Sequence, residues 1–287
     1  MKSFKELLKP SAPQKFKHKI GICLSGGGAL GFAHIGVLQA LEDHRIFPET
    51  VSGSSIGSII GAMYCAGYTP SQMLQFIKEG KLYKITKIMQ FQPAFWKAGL
   101  SNHSTILSLV NEFIPNNSFE KLDKPMHVCV SNLNSGKWEI ISKSEKLDIW
   151  IAASCSIPGI FNSIKINNNV YVDGGLLNNV PAQPLRETCE YVIGSDVIPH
   201  LTTEKSLQSR DVLVKSIRVA QHQSSQAGRK LCDFLIEPKA IKKFNEFSFD
   251  AYQAIYQYGY RAATKFIGEN PDLLKLANYN EKQNQIN

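Results

Sequence analysis

The chain has 287 residues, is 43% hydrophobic and 20% charged, and carries a formal net charge of +8. That length and balance exclude a staple-dependent miniprotein, a collagen-like or coiled-coil fibre and a chain disordered over most of its length. No run of 18 apolar residues occurs, so no helix is expected to span a membrane, and the basic N-terminus lacks the apolar core of a secretory signal.

Residues 1–17 read as a basic flexible tail, with Pro10 and Pro13 breaking any helix. A short apolar strand is expected at 18–25. Residues 31–45 carry Phe32, Ile35, Val37, Leu38 and Leu41 at helical spacing. Residues 51–54 end a second strand, and 56–66 form a small-residue helix closed by Gly67. Thr69 and Pro70 supply the N-cap and first position of the next helix. A helix follows at 104–114, strands at 126–132 and 137–142, and a short helix at 145–155. A hairpin turn at 167–169 leads into a strand ending at Tyr171-Val172. Two more strands are expected at 191–197 and 234–237, followed by helices at 206–226 and 249–268. Residues 269–287 read as a polar C-terminal tail. Strands alternating with helices predict a mostly parallel central sheet covered on both faces, a three-layer α/β/α sandwich in one domain over 18–268.

The six cysteines, Cys23, Cys65, Cys129, Cys155, Cys189 and Cys232, are scattered singly among apolar residues with no C-x-x-C pair. They are expected to be reduced core thiols of a cytoplasmic protein. The positive charge is concentrated. Residues 1–20 hold six lysines against Glu6, and residues 78–97 hold five lysines against Glu79, leaving the rest nearly neutral. Two separate patches on a neutral body argue against a nucleic-acid-binding domain. They fit either peripheral contact with the anionic inner face of a membrane or a plain solubility role. Residues 82–100 mix Leu82, Phe91, Phe95 and Trp96 with lysines. They read as a cap lying on lipid or as a helix packed on the core.

Three segments carry chemistry. In Gly26-Gly27-Gly28-Ala29-Leu30-Gly31 the glycines follow a strand and open a helix, so backbone N–H groups there can face an anion. The string satisfies G-x-G-x-x-G, but the next strand, Val51-Ser52-Gly53-Ser54, lacks the acid that a dinucleotide site places on the ribose. In Gly53-Ser54-Ser55-Ile56-Gly57 a G-x-S-x-G string sits between strand and helix, the setting of a nucleophile elbow, with Gly53 and Gly57 leaving room for the turn. Asp173-Gly174-Gly175 ends a strand and by itself reads as a turn.

Together these segments resemble the patatin-like phospholipase family, and in particular bacterial members related to neuropathy target esterase. The resemblance extends to Ala152-Ala153-Ser154-Cys155-Ser156-Ile157-Pro158-Gly159-Ile160-Phe161, to Asn178-Asn179-Val180-Pro181 and, near the C-terminus, to Ile236-Glu237-Pro238 and Tyr258-Gly259-Tyr260-Arg261. It covers about residues 18–268. It implies a serine hydrolase of (lyso)phospholipid or related acyl esters, with Ser55 as nucleophile, Asp173 as base and Gly26, Gly27, Gly28 and Ala29 around an oxyanion hole. It implies no metal and no cofactor, and it specifies no oligomeric state. One position departs from the family's pattern: Leu30 stands where Arg or Lys is common. That departure keeps open a second class, a catalytically silent member that binds lipid or a partner. His200 and His222 follow Asp173 in the order a triad would need, while His103 reads as an incidental surface or loop residue and His34 as packing or as an active-site neighbour. In an acyl-chain pocket the Asp173 carboxyl is expected to titrate at about 5.

Overall fold

The computed structural model of the protein describes residues 18–79, 103–198 and 209–278. The tail 1–17, the expected cap at 82–100 with most of the second lysine patch, His200 and residues 279–287 lie outside the described residues. Strand β1 (His18–Leu24) leads through a tight turn at Gly28–Gly31 into helix α1 (Phe32–Asp43). Strand β2 (Thr50–Ser54) leads directly into α2 (Ile56–Cys65). Helix α3 (Pro70–Lys78) starts as the sequence predicts: Thr69 Oγ1 accepts the Gln72 N–H, and Gln72 Oε1 accepts the Thr69 N–H in return.

Helix α4 (Ser104–Phe113), strands β3 (Met126–Asn132) and β4 (Lys137–Ile141) and helix α5 (Leu147–Ser154) follow. Strands β5 (Ile164–Ile166) and β6 (Asn169–Asp173) form a hairpin across Asn167 and Asn168, at φ 47° and 67°. Asparagine tolerates that left-handed backbone, and two such residues in a row make the turn that suits twisted strands. Two short helices, α6 (Gly175–Asn178) and α7 (Gln183–Thr188), occupy a stretch where no helix was expected, because neither is long enough to display an apolar period. The chain then runs through β7 (Cys189–Ser195), α8 (Ser209–Arg229), β8 (Phe234–Ile236), α9 (Tyr252–Glu269) and α10 (Pro271–Leu274).

The sheet order is β5-β6-β3-β2-β1-β7-β8, with β4 also paired to β3. From β3 to β8 neighbouring strands are parallel, while β4, β5 and β6 add an antiparallel edge. Side chains of β1 alternate between two cores. Ile20, Ile22 and Leu24 join the larger one with α1, α2 and α9, and Cys23 joins Val180, Leu185, Cys189 and Val192 in the smaller one. Two cores on opposite faces of one sheet make the three layers that the sequence predicts. The expected tail from 269 is corrected: Leu273 and Leu276 are buried in the larger core, so folded chain continues to 278. All six cysteines are free, and burial raises every thiol, pushing Cys189 up to about 11 and Cys232 up to about 12. Among the described residues no helix is long and apolar enough to cross a membrane.

Candidate active site

The parallel strands bring the three chemical segments to one edge of the sheet. Leu24 of β1 pairs with Gly53 of β2, Ser54 pairs with Cys129 of β3, and the next residue of β3, Val130, pairs with Asp173 of β6. Ser55 and Asp173 therefore lie at the same end of the sheet although 118 positions separate them in the chain.

Ser55 stands at φ 52°, ψ −127°, a region that a side chain occupies only under strain. The turn is possible because Gly53 and Gly57 lack side chains. A Cβ on Gly53 would lie 2.5 Å from the Gly57 carbonyl oxygen, and one on Gly57 would lie 2.3 Å from that of Leu24. Three hydrogen bonds hold the strained residue. Its N–H donates to Ser154 Oγ (2.9 Å), Ser154 Oγ donates to the Cys129 carbonyl (2.7 Å), and Ser58 Oγ donates to the Ser55 carbonyl (2.6 Å). The sequence placed Ser154 in a recurrent block without a role; the structure gives it one. Ser154→Ala would leave the Ser55 N–H buried and unpaired, a loss of about 1–3 kcal/mol. We expect a lower melting temperature by calorimetry and a kcat on a soluble ester reduced about tenfold, as the elbow relaxes.

Asp173 is 1% exposed and Ser55 5% exposed. The Asp173 N–H donates to the Ser156 carbonyl, and Ser131 Oγ donates to the Asp173 carbonyl, so its backbone is fixed from two sides. Its carboxylate Oδ1 accepts the Gly175 N–H at 2.8 Å. Oδ2 is buried and makes no well-aligned hydrogen bond. Burial raises the carboxyl from the ordinary 3.8 to about 6, while the nearby Ser55 hydroxyl and the Gly175 N–H pull the other way. That is higher than the value of about 5 expected from the sequence, because two opposing hydrogen bonds do not offset complete burial. A hydroxyl beside an unpaired carboxylate oxygen is the arrangement a general base and its nucleophile need.

The glycine loop is held at both ends. The peptide between Ser25 and Gly26 donates its N–H to Asn179 Oδ1 (3.1 Å), and its carbonyl oxygen meets His34 Nε2 (2.8 Å). At the far end the Ala29 N–H donates to the Glu246 carbonyl (2.9 Å). The family resemblance implies Gly26, Gly27, Gly28 and Ala29 around an oxyanion hole. The Gly26 and Ala29 N–H groups are already engaged, and the N–H groups of Gly27 and Gly28 are the two left to meet an anion. Gly28 is at φ +56°, a conformation that suits glycine.

His34 lies behind the loop rather than in the pocket. A carbonyl only accepts, so Nε2 carries the proton and Nδ1 accepts the Ser195 hydroxyl at 2.8 Å. Complete burial lowers its pKa to about 4, which keeps the ring neutral. His103 is not the surface residue the sequence suggested. It is buried, stacked on Phe161, with Nε2 at 2.8 Å from Ser156 Oγ. No histidine is among the groups that shift Asp173.

A small cleft opens over Ser55. Its wall is apolar through Leu30, Ile157, Ile160, Ile198, Ile217 and Phe247, with Arg218, Gln221 and Glu246 the polar exceptions. Leu30 is thus a packed wall residue. The residues from α8 and from the segment before α9 had no signal in sequence, since they meet the site only through the fold. Among the described residues no group of three or more His, Cys, Asp or Glu is placed to hold a metal.

An NTE family protein of Mycobacterium tuberculosis is 30% identical over 168 residues, which are 58% of this chain and 45% of that protein. Lysophospholipase NTE1 of Cryptococcus neoformans is 30% identical over 174 residues, 59% of this chain and 10% of the enzyme. The chain thus spans less than half the length of these relatives. The solved structure of VipD from Legionella pneumophila aligns with a TM-score of 0.44 at 13% identity, covering 84% of this chain and 67% of VipD. The family model described as patatin-like phospholipase matches residues 22–186, from β1 through the elbow and Asp173 into α7. The chain belongs to the patatin-like phospholipase family.

Proposed function

We propose that this protein hydrolyses carboxylic esters of (lyso)phospholipids or related acyl lipids, with Ser55 as nucleophile and Asp173 as its base. The observation that carries the reading is the buried Asp173 carboxylate, whose Oδ2 lies unpaired while the strained Ser55 hydroxyl is close enough to influence its ionisation. Ser55 Oγ attacks the acyl carbonyl as its proton passes to Asp173. The carbonyl oxygen becomes an oxyanion facing the Gly27 and Gly28 N–H groups, an interaction worth about 3–4 kcal/mol per donor. Asp173 returns the proton to the leaving alcohol, and the acyl group stays on Ser55. Water, giving its proton to Asp173, then releases the fatty acid.

The apolar wall of the cleft suits an acyl chain, and the naming of NTE1 as a lysophospholipase supports a lipid ester over a small polar one. The silent alternative rested on Leu30. That residue packs in the wall, and Asn179 and the Glu246 carbonyl hold the loop without a basic side chain at position 30, which favours the hydrolase. Peripheral contact of a cytoplasmic protein with an anionic membrane, through the lysines of 1–20 and 78–97, belongs to the same proposal.

A fluorophosphonate probe tests the core of it. The wild type is expected to be labelled at one serine, mapped to Ser55 by mass spectrometry, and to release fatty acid from lysophospholipid vesicles, more readily when phosphatidylglycerol is included and less in high salt. A chain that is neither labelled nor active on a panel of phospholipids, lysophospholipids and soluble esters is not a hydrolase.

A further inference from the structure

We propose that the ion pair between Arg218 and Glu246 positions the oxyanion loop. The inference rests on the hydrolase reading above. Glu246 reaches the loop through its backbone: its carbonyl accepts the Ala29 N–H, and a Cβ on Gly28 would lie 2.5 Å from the same oxygen. Where that carbonyl sits therefore decides where the Gly27 and Gly28 N–H groups point.

The turn that carries Glu246 is braced within itself. The Phe247 N–H and Ser248 Oγ both donate to Asn245 Oδ1, the Asn245 N–H donates to Ser248 Oγ, and the Ser248 N–H returns to the Asn245 carbonyl. Such a turn shifts as a unit, and the Glu246 side chain ties that unit to α8 through Arg218. The two side chains are only 20% and 14% exposed, at the mouth of an otherwise apolar cleft. In that setting, removing either charge would leave the other poorly solvated and without its counter-charge.

Helix α8 is itself anchored. Arg229 near its C-terminal end bonds Asp196 and Glu237, each at 2.5 Å. Ser224 Oγ of the same helix accepts the N–H of Asn179, whose side chain holds the other end of the glycine loop. One helix thus sets both ends of the loop. Residues 218 and 246 lie beyond the region matched by the family model.

The test uses Glu246→Gln, Arg218→Met, their double variant and Arg218→Lys, with kinetics on p-nitrophenyl butyrate, a neutral soluble ester. Each charge-removing variant should lose about 10- to 100-fold in kcat with KM changed less than about threefold, as expected for a donor moved off its mark. The double variant should be no worse than the poorer single one, because both break one contact, and Arg218→Lys should recover most of the rate. Backbone amide exchange, which needs no turnover, should be faster across residues 26–31 in both single variants, by more than any fall in melting temperature speeds exchange in the rest of the sheet. Faster exchange in a chain whose wild type hydrolyses no ester would keep the positioning role and sink the hydrolase reading. Unchanged kcat and exchange would overturn the positioning role. So would a loss confined to KM for anionic esters, which would assign Arg218 to substrate recognition.

Discussion

Ser55→Ala is expected to abolish ester hydrolysis and fluorophosphonate labelling while leaving the fold intact. Alanine keeps the Cβ that the elbow already accommodates, and the backbone bonds from Ser154 and Ser58 do not involve the lost hydroxyl. The rate should fall by at least about 10⁴-fold, the scale at which removal of a nucleophile leaves only the contribution of binding and oxyanion stabilisation. The melting temperature should stay within a few degrees. Residual turnover of wild-type rate constant and substrate preference in the purified variant would remove Ser55 from the mechanism.

Asp173→Asn should be nearly as damaging to turnover, and it should stabilise the protein. The amide cannot take the Ser55 proton, although its oxygen can still accept the Gly175 N–H. The stability effect follows from the raised carboxyl. Folding moves this group from the ordinary 3.8 to about 6, so the folded state holds the proton more tightly than the unfolded chain does. Well below the unfolded value of 3.8 both states are protonated and the carboxyl costs nothing. As the pH rises to 6 and beyond, the folded state bears a growing penalty, on the order of 3 kcal/mol at neutral pH. The asparagine variant escapes it and should melt about 5 °C higher at pH 7.5, with little difference at pH 4. The acid limb of kcat/KM on a neutral ester should be centred near pH 6 and should survive His222→Ala and His103→Gln. A limb erased by either histidine change would transfer the base role to imidazole.

The elements that the sequence revealed are those whose cause is local. Thr69-Pro70 capped its helix, two successive asparagines turned the β5–β6 hairpin, and Gly53 and Gly57 left the room that the sharp turn at Ser55 takes up. Ser55 stood out as a candidate for the same reason, through its G-x-S-x-G string, whereas Asp173, whose string by itself reads as a turn, was singled out only by the resemblance to the family. What escaped detection depends on partners far away in the chain. That the Gly26 and Ala29 N–H groups are engaged could not be read from the sequence, because nothing nearby hints that Asn179 and Glu246 accept from them. His103 looked incidental because Phe161 and Ser156, which bury it, lie on the other side of β3 in sequence. Leu273 and Leu276 were lost in a polar tail because two apolar residues set no period, yet a finished core had room for both.

The central place of β1 has a consequence for the order in which a nascent chain becomes active. One neighbour of this strand, β2, is synthesised almost at once, but the other, β7, arrives only after residue 189. The root of the glycine loop waits for that strand, because the Ser25 N–H donates to the Ser195 carbonyl, and the loop's far end waits for residue 246. A ribosome-bound chain that already displays both Ser55 and Asp173 therefore still has an unset oxyanion loop. On the proposed mechanism, such a chain passes the membranes around it as an unarmed lipase, and the activity is released only when the segment through residue 246 has been made and folded.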